Sequence, residues 1–232
     1  MTKIKNHLTT TFGEDNIPRL IEYTATKYRP YDPGQYLYRL VTEFSNGTKF
    51  SDKFIELSYT TLIAWNMNQR GAKLSDFTTF KNSLLLHRQK IESLDNLRIE
   101  KLADTNSLIE KLKFLYENIQ LVADGKPKLV TFSKTLHYFL PNLLMPIDRR
   151  YTLTFFYKNT TVPRKDSDQF QIYSDIFLQF KQLATIYNFD SHIDGHWNKN
   201  IPKVIDNIII AHCKELTQPK FEKSKQNEKT LL

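Results

Sequence analysis

The chain has 232 residues, with 33 Lys and Arg against 25 Asp and Glu and a formal net charge of +8. That length suffices for one sizeable core, and a single cysteine, Cys213, excludes both an internal disulfide and a thiolate metal cluster. The 6 glycines form neither G-x-G-x-x-G nor G-x-x-x-x-G-K-[ST], so the loops that bring backbone close to a nucleotide phosphate are missing.

Helical spacing dominates from the start. Asn16 is placed to cap a helix entered through Ile17 and Pro18, with Leu20, Ile21, Thr24 and Tyr28 on one face and a stop near Arg29-Pro30. Tyr31-Asp32-Pro33-Gly34 reads as a turn. Residues 36–44 fit a short helix or a strand, and the turn dipeptide Asn46-Gly47 ends them. Ser51-Asp52 opens a longer helix carrying Phe54, Leu57, Ser58, Thr61, Leu62 and Trp65 on one side, closed by Gln69-Arg70-Gly71. Ser75 is expected to cap the next, which carries Phe77, Phe80, Leu84 and Leu85. Residues 94–102 read as a connector helix.

Asn106 leads into Leu108, Leu112, Leu115, Ile119 and Val122, a stripe repeating about every 3.6 residues and broken by Asp124-Gly125-Lys126-Pro127. Residues 133–140 read as a short helix before Pro141, and another is expected from Pro146 to about Tyr157. The polar stretch 159–167 is a loop, 170–187 is amphipathic, and 202–216 is a helix entered at a proline. From Gln218 onward, four lysines and two glutamates among few apolar residues read as a disordered tail. The expected fold is one all-α domain over residues 1–217, a compact bundle of about nine helices. Apolar runs such as Ile208-Ile209-Ile210-Ala211 are far below the ~20 residues of a membrane span, and no signal core follows Met1–Asn6. A cytoplasmic, reduced protein is expected.

Aromatic residues make up 13 % of the chain and the pI is near 9.3, which suits contact with phosphates and stacked bases. The same composition suits a Phe- and Tyr-rich core under solvated lysines. His192 and His196 stand four apart, but Asp194 and Gly195 place them in a loop, and no glutamate completes an H-E-x-x-H set. Cys213 lies in a buried-looking stretch with no nucleophile signature around it.

The chemistry concentrates in residues 128–157. Asp148 follows Pro146 at a helix start, where unpaired N–H groups and the positive end of the helix hold a carboxylate ionised. Asp148 and Thr152 then share a face, while Arg149 and Arg150 point elsewhere. A helix, a proline-marked turn and a second helix fold back on each other, which brings Lys134 near Asp148. Such a lysine can serve as an amine nucleophile or a charged clamp, or the pair can reduce to a helix cap and a surface lysine.

Pro146-Ile147-Asp148-Arg149-Arg150-Tyr151 resembles the P-x-D segment that carries the catalytic aspartate in helix-hairpin-helix DNA glycosylases. Phe132-Ser133-Lys134-Thr135-Leu136 resembles the start of their second hairpin helix, which bears the Schiff-base lysine in 8-oxoguanine-type members. The intervening run Leu136–Pro146 is similar to that of the archaeal and bacterial branches, in which K-x-L-x-F-L-x-P precedes the aspartate. The likeness covers about 25 residues. Leu62–Gly71, the Asp148 segment and residues 202–207 together resemble a group of bacterial proteins to which no activity attaches. Two features depart from the family: residues 128–133 lack the hairpin glycine that lets backbone N–H groups reach a phosphate, and the iron–sulfur cysteines are absent.

The resemblance implies an all-helical, basic enzyme that needs no metal or nucleotide cofactor. It would bind double-stranded DNA and flip out a modified base, in damaged or foreign (phage) DNA. Asp148 would stabilise the positive sugar left by the departing base, and Lys134 would attack its anomeric carbon or hold a phosphate. Trp65, Asn66, Asn68 and Arg70 would read the base or clamp the backbone, or else form a core tryptophan and an ordinary helix end. Ser133, His137, Arg149 and Arg150 would contact DNA around the hairpin. Trp197, Lys199 and Lys203 offer a further phosphate contact or a solvated loop. Two other functions stay open: a non-catalytic nucleic-acid-binding protein, and a protein-interaction module whose charge confers solubility.

Overall fold

The computed structural model describes residues 8–27, 33–45, 49–68 and 73–217. Among these the chain is helical without a strand. After a helical turn at 8–11 come α1 (Asn16–Lys27), α2 (Pro33–Phe44), α3 (Asp52–Ala64), α4 (Phe77–Leu86), α5 (Arg88–Glu92), α6 (Thr105–Asn118), α7 (Leu129–Phe139), α8 (Thr154–Tyr157), α9 (Asp166–Ile186) and α10 (Ile201–Thr217). Short 3₁₀ turns lie at Ile99–Lys101 and Asp190–His192, and one bridge pairs Leu74 with Val122. No described helix is long and apolar enough to cross a membrane. The expected stops at 28–32, 46–47 and 69–71, and the tail from 218, lie outside the described residues.

The bundle is built around α7. All eleven of its residues are buried, Lys134 and His137 included. A helix buried on every side must sit at the centre, and α7 packs against α3 and α9, while α10 lies between α1 and α9. Phe132 meets Tyr116 of α6 and Tyr173 of α9 edge-on, and Phe139 meets Phe50 and Phe54. Such aromatic pairs contribute about 0.5–1.5 kcal/mol each beyond the area they bury.

Burial on all sides sets a problem at the helix ends, whose unpaired backbone groups have no water to turn to. At the N-terminus of α7 no side chain of its own acts as a cap. Gln169 of α9 supplies the acceptor instead: its Oε1 takes bonds from the N–H of Lys128 (2.9 Å), the N–H of Leu129 (3.1 Å) and the Tyr116 hydroxyl (2.9 Å). One buried amide therefore joins α6, α7 and α9.

At the other end the chain leaves α7 at Leu140 and returns alongside it through residues 140–148. Two polar side chains of α7 pin this return. His137 Nδ1 donates to the Leu144 carbonyl at 2.6 Å, and Ser133 Oγ accepts from Ile147 N–H at 3.0 Å while donating to the Val130 carbonyl at 2.9 Å. Leu143, Leu144, Met145 and Ile147 fill the space between.

Several local expectations need correction. α7 begins at Leu129, four residues before the expected Ser133, because packing overrides the low helix propensity of Val130 and Thr131. Asp76, not Ser75, caps α4, and Asp104 rather than Asn106 precedes α6; each aspartate reaches an N–H three residues on. Ser75 instead accompanies the bridge, its hydroxyl donating to the Gln120 carbonyl. The connector helix expected over 94–102 reduces to the 3₁₀ turn, with α5 ahead of it. Residues 36–44 are helical, as α2. Pro146 does not open a helix; Asp148 caps a wide turn over Arg149–Leu153, closed by Leu153 N–H on the Asp148 carbonyl, before the single turn of α8.

Gln169→Ala would leave two buried N–H groups and a hydroxyl without an acceptor. It should cost about 2–4 kcal/mol in urea unfolding at unchanged m-value; a loss under about 0.5 kcal/mol would mean that α7 is not held this way.

Candidate functional site

The return of residues 140–148 along α7 sets Lys134 Nζ 3.2 Å from Asp148 Oδ2. The other carboxylate oxygen, Oδ1, accepts the N–H groups of Arg150 (2.8 Å) and Tyr151 (3.3 Å), and Asp148 N–H donates to Thr152 Oγ1 at 2.9 Å. The carboxylate is thus fixed in direction by backbone on one side and by an ammonium on the other. Burial alone would raise its pKa, but the charge of Lys134 and these hydrogen bonds outweigh burial and hold it below the usual carboxylate range. The Asp148 side chain keeps 32 % of its surface open to solvent whereas Lys134 keeps 7 %, so the acid sits at an entrance and the amine behind it.

The entrance leads into a cleft of about 300 Å³. One wall comes from the end of α3, where Asn66 takes a left-handed conformation (φ 62°) that ends the helix and turns Trp65 and Asn66 toward the cleft. The rest of the lining comes from Pro146, Ile147, Asp148 and Tyr151, from Trp197, Lys203, Asp206 and Ile210, and from Gln35 of α2. Lys134 Nζ lies 5.1 Å from the Trp65 ring centre and Lys203 Nζ 4.4 Å from that of Trp197. Lys203 also contacts Asp206 Oδ2 at 2.6 Å. Two ammonium groups and two carboxylates thus line one aromatic cleft.

Tyr38 underpins this arrangement. Its ring stacks on Trp65 (5.6 Å between centres) and on His137 (5.7 Å) and meets Trp197 edge-on at 5.4 Å. A carbonyl can only accept, so His137 carries its proton on Nδ1 toward Leu144, and Nε2 accepts from the Tyr38 hydroxyl at 2.8 Å. Burial, opposed by the Leu144 carbonyl and reinforced by the charge of Lys203, pushes the His137 pKa down to about 3, so the ring is neutral at physiological pH.

The residues singled out in the sequence divide into four groups. Lys134, Asp148, Trp65, Asn66, Trp197 and Lys203 meet at the cleft. Ser133 and His137 are fully buried and bonded within the protein, so they shape the return segment and cannot contact DNA. Arg149 and Arg150 are not among the residues that line the cleft: Arg149 Nε donates to the Thr160 carbonyl, and the Arg150 guanidinium lies 5.8 Å from the ring centre of Tyr151, which does line it. Asn68 is exposed outside the cleft, and Arg70 lies outside the described residues. Lys203 belongs to a helix and a buried pair rather than a solvated loop. Sequence reasoning missed Gln35, Tyr38, Tyr151 and Asp206. For Asp206 a signal existed, its three-residue spacing from Lys203 on one helical face. Among the described residues no group of three His, Cys, Asp or Glu side chains is placed to hold a metal ion.

Comparison with protein-family models, curated proteins and solved structures finds no match to this chain.

The depressed Asp148 pKa fixes the sign of a pH effect. A carboxyl titrating lower in the folded than in the unfolded state adds stability above the unfolded pKa, about 3.9, and loses it as pH falls through the folded value. The unfolding free-energy difference between wild type and Asp148→Asn should therefore favour wild type at about pH 7 and shrink steadily as the pH falls below the unfolded value. A constant difference would show that the ion pair is not the source.

Proposed function

We propose that the cleft is the active site of a DNA N-glycosylase that extrudes a modified base from double-stranded DNA and releases it. The observation that carries this reading is the Lys134–Asp148 pair at the mouth of an open, aromatic-lined cleft. Three needs of the chemistry are met there. An extruded base has lost its stacking partners and finds new faces in Trp65 and Trp197. Departure of the base leaves positive charge on the sugar, and a carboxylate already ionised and oriented by backbone N–H groups stabilises it without having to rearrange. Lys134 lies behind Asp148 with 7 % of its side-chain surface exposed, which suits an amine acting inside the cleft on the anomeric carbon better than one holding a phosphate at the surface.

On this reading Lys134 is the nucleophile and C1′ its target; displacement of the base leaves the protonated amine on C1′, and ring opening, with the C1′–O4′ bond breaking and one amine proton passing to O4′, gives the Schiff base. Asp148 holds the lysine in place before attack and faces the sugar cation during it. The net charge of +8 draws the polyanionic duplex toward the protein. No metal or nucleotide takes part in these steps.

Incubation with duplexes bearing a panel of modified bases, hypermodified phage DNA included, followed by alkali, should reveal abasic sites. Asp148→Asn should lower base release by about 10³-fold while DNA affinity stays within a few-fold. Lys134→Ala should remove borohydride-trapped protein–DNA adducts. Asp148→Asn protein as active as wild type on the same substrate would end the proposal. DNA binding that falls steeply with salt, without abasic sites, would indicate a binding protein instead.

A further inference from the structure

Lys134 and Asp148 share the lining of the cleft with a second acid–base pair. Asp206 and Lys203 stand three residues apart on α10, with only 4 % and 3 % of their side-chain surface exposed. A buried ion pair contributes little over apolar residues of similar volume, so stability does not account for its place in the cleft. Lys203 is held twice over, by Asp206 and by the faces of Trp197 and Tyr38, at 4.4 and 5.4 Å from their ring centres. Asp206 is the acid that remains for work.

We propose that Asp206 is the proton carrier of the cleft, taking the proton that Lys134 must lose before attack and returning it to the departing base. This rests on the glycosylase reading above. In the first step the Lys134 ammonium gives a proton to the Asp206 carboxylate and becomes a neutral amine. In the second, the amine lone pair forms the N–C1′ bond as the bond from C1′ to the base breaks, its electron pair passing to the base nitrogen. The Asp206 proton neutralises that nitrogen. The site ends with a protonated secondary amine on C1′, a neutral free base and Asp206 again ionised beside Lys203, so atoms and charge balance.

The surroundings of Asp206 suit a proton acceptor. Burial raises its pKa above the ordinary carboxylate range, Lys203 opposes the rise by charge and hydrogen bond, Asp148 adds to it, and Lys134 opposes it. Tyr38, on α2, feels the charge of Asp206 but is kept a neutral phenol by burial. Asp148 is held down while Asp206 is lifted. Two carboxyl groups driven apart in one site divide the labour, one staying ionised as a charge stabiliser and the other exchanging protons.

The test uses the full chain and a duplex carrying a preformed abasic site, whose aldehyde reports on the Lys134 amine whatever base the enzyme prefers. Borohydride trapping is followed from about pH 6 to pH 9. Asp206→Asn should trap about 100-fold more slowly near neutrality and recover to within a few-fold of wild type near pH 9, where solvent removes the proton. Asp206→Glu should restore the neutral-pH rate. Equal loss at every pH, or no loss, would overturn the proposal.

Lys134→Ala separates the two readings, because trapping that survives it removes the nucleophile itself, whereas trapping that needs Lys134 but ignores Asp206 removes only the carrier. Should Asp206→Asn fail to fold, carboxyl ¹³C titration of wild type decides. The Asp206 midpoint must lie above the ordinary range and fall in Asp148→Asn; an ordinary midpoint contradicts the carrier.

Discussion

A lysine in the middle of a wholly buried helix is the constraint around which the rest of this protein is arranged. Moving an ammonium group out of water costs several kcal/mol unless a counter-charge is close and well directed. Lys134 meets that demand through Asp148, and Asp148 can supply it only because residues 140–148 run back along α7. That return depends on Ser133 and His137, which use their polar atoms on its backbone rather than on solvent. Ser133, His137 and Lys134 therefore form one system, the first two holding the geometry and Lys134 being held by it.

The same arrangement keeps the pair at a cleft rather than sealed in the core. The wide turn after Asp148 aims two backbone N–H groups at its carboxylate and keeps part of that side chain open to solvent. Behind it the buried rings of Tyr38 and His137 stack in series against Trp65, the one of the three that lines the cleft. Neutral His137 is what allows this stack to sit next to two cations, since a protonated imidazole there would add a third buried positive charge.

Much of this was legible in the sequence because the signals were local. The amphipathic stripes of Leu108–Leu115 and of the long α9 segment fixed the all-helical class, and the proline-marked turn after α7 implied that Lys134 and Asp148 would meet. What stayed hidden depended on contacts between distant segments. Gln169 reads as an ordinary polar residue of an amphipathic helix, yet it caps α7 from 40 residues away. Tyr38 sits in a segment equally compatible with helix and strand, and its role emerges only when α2 lies against α7. Ser133 and His137 read as DNA contacts beside Lys134, but burial on every side of α7 removes both from the surface.

The most direct measurement of the central claim is a crystal structure of the Lys134→Gln protein bound to duplex DNA carrying a 2′-fluorinated nucleotide that resists base loss. The account predicts an extruded nucleotide with its base between Trp65 and Trp197 and its C1′ about 3–4 Å from the side-chain terminus at position 134 and from the Asp148 carboxylate. DNA bound on another face, with the cleft empty and Asp148 still turned to solvent, would contradict it.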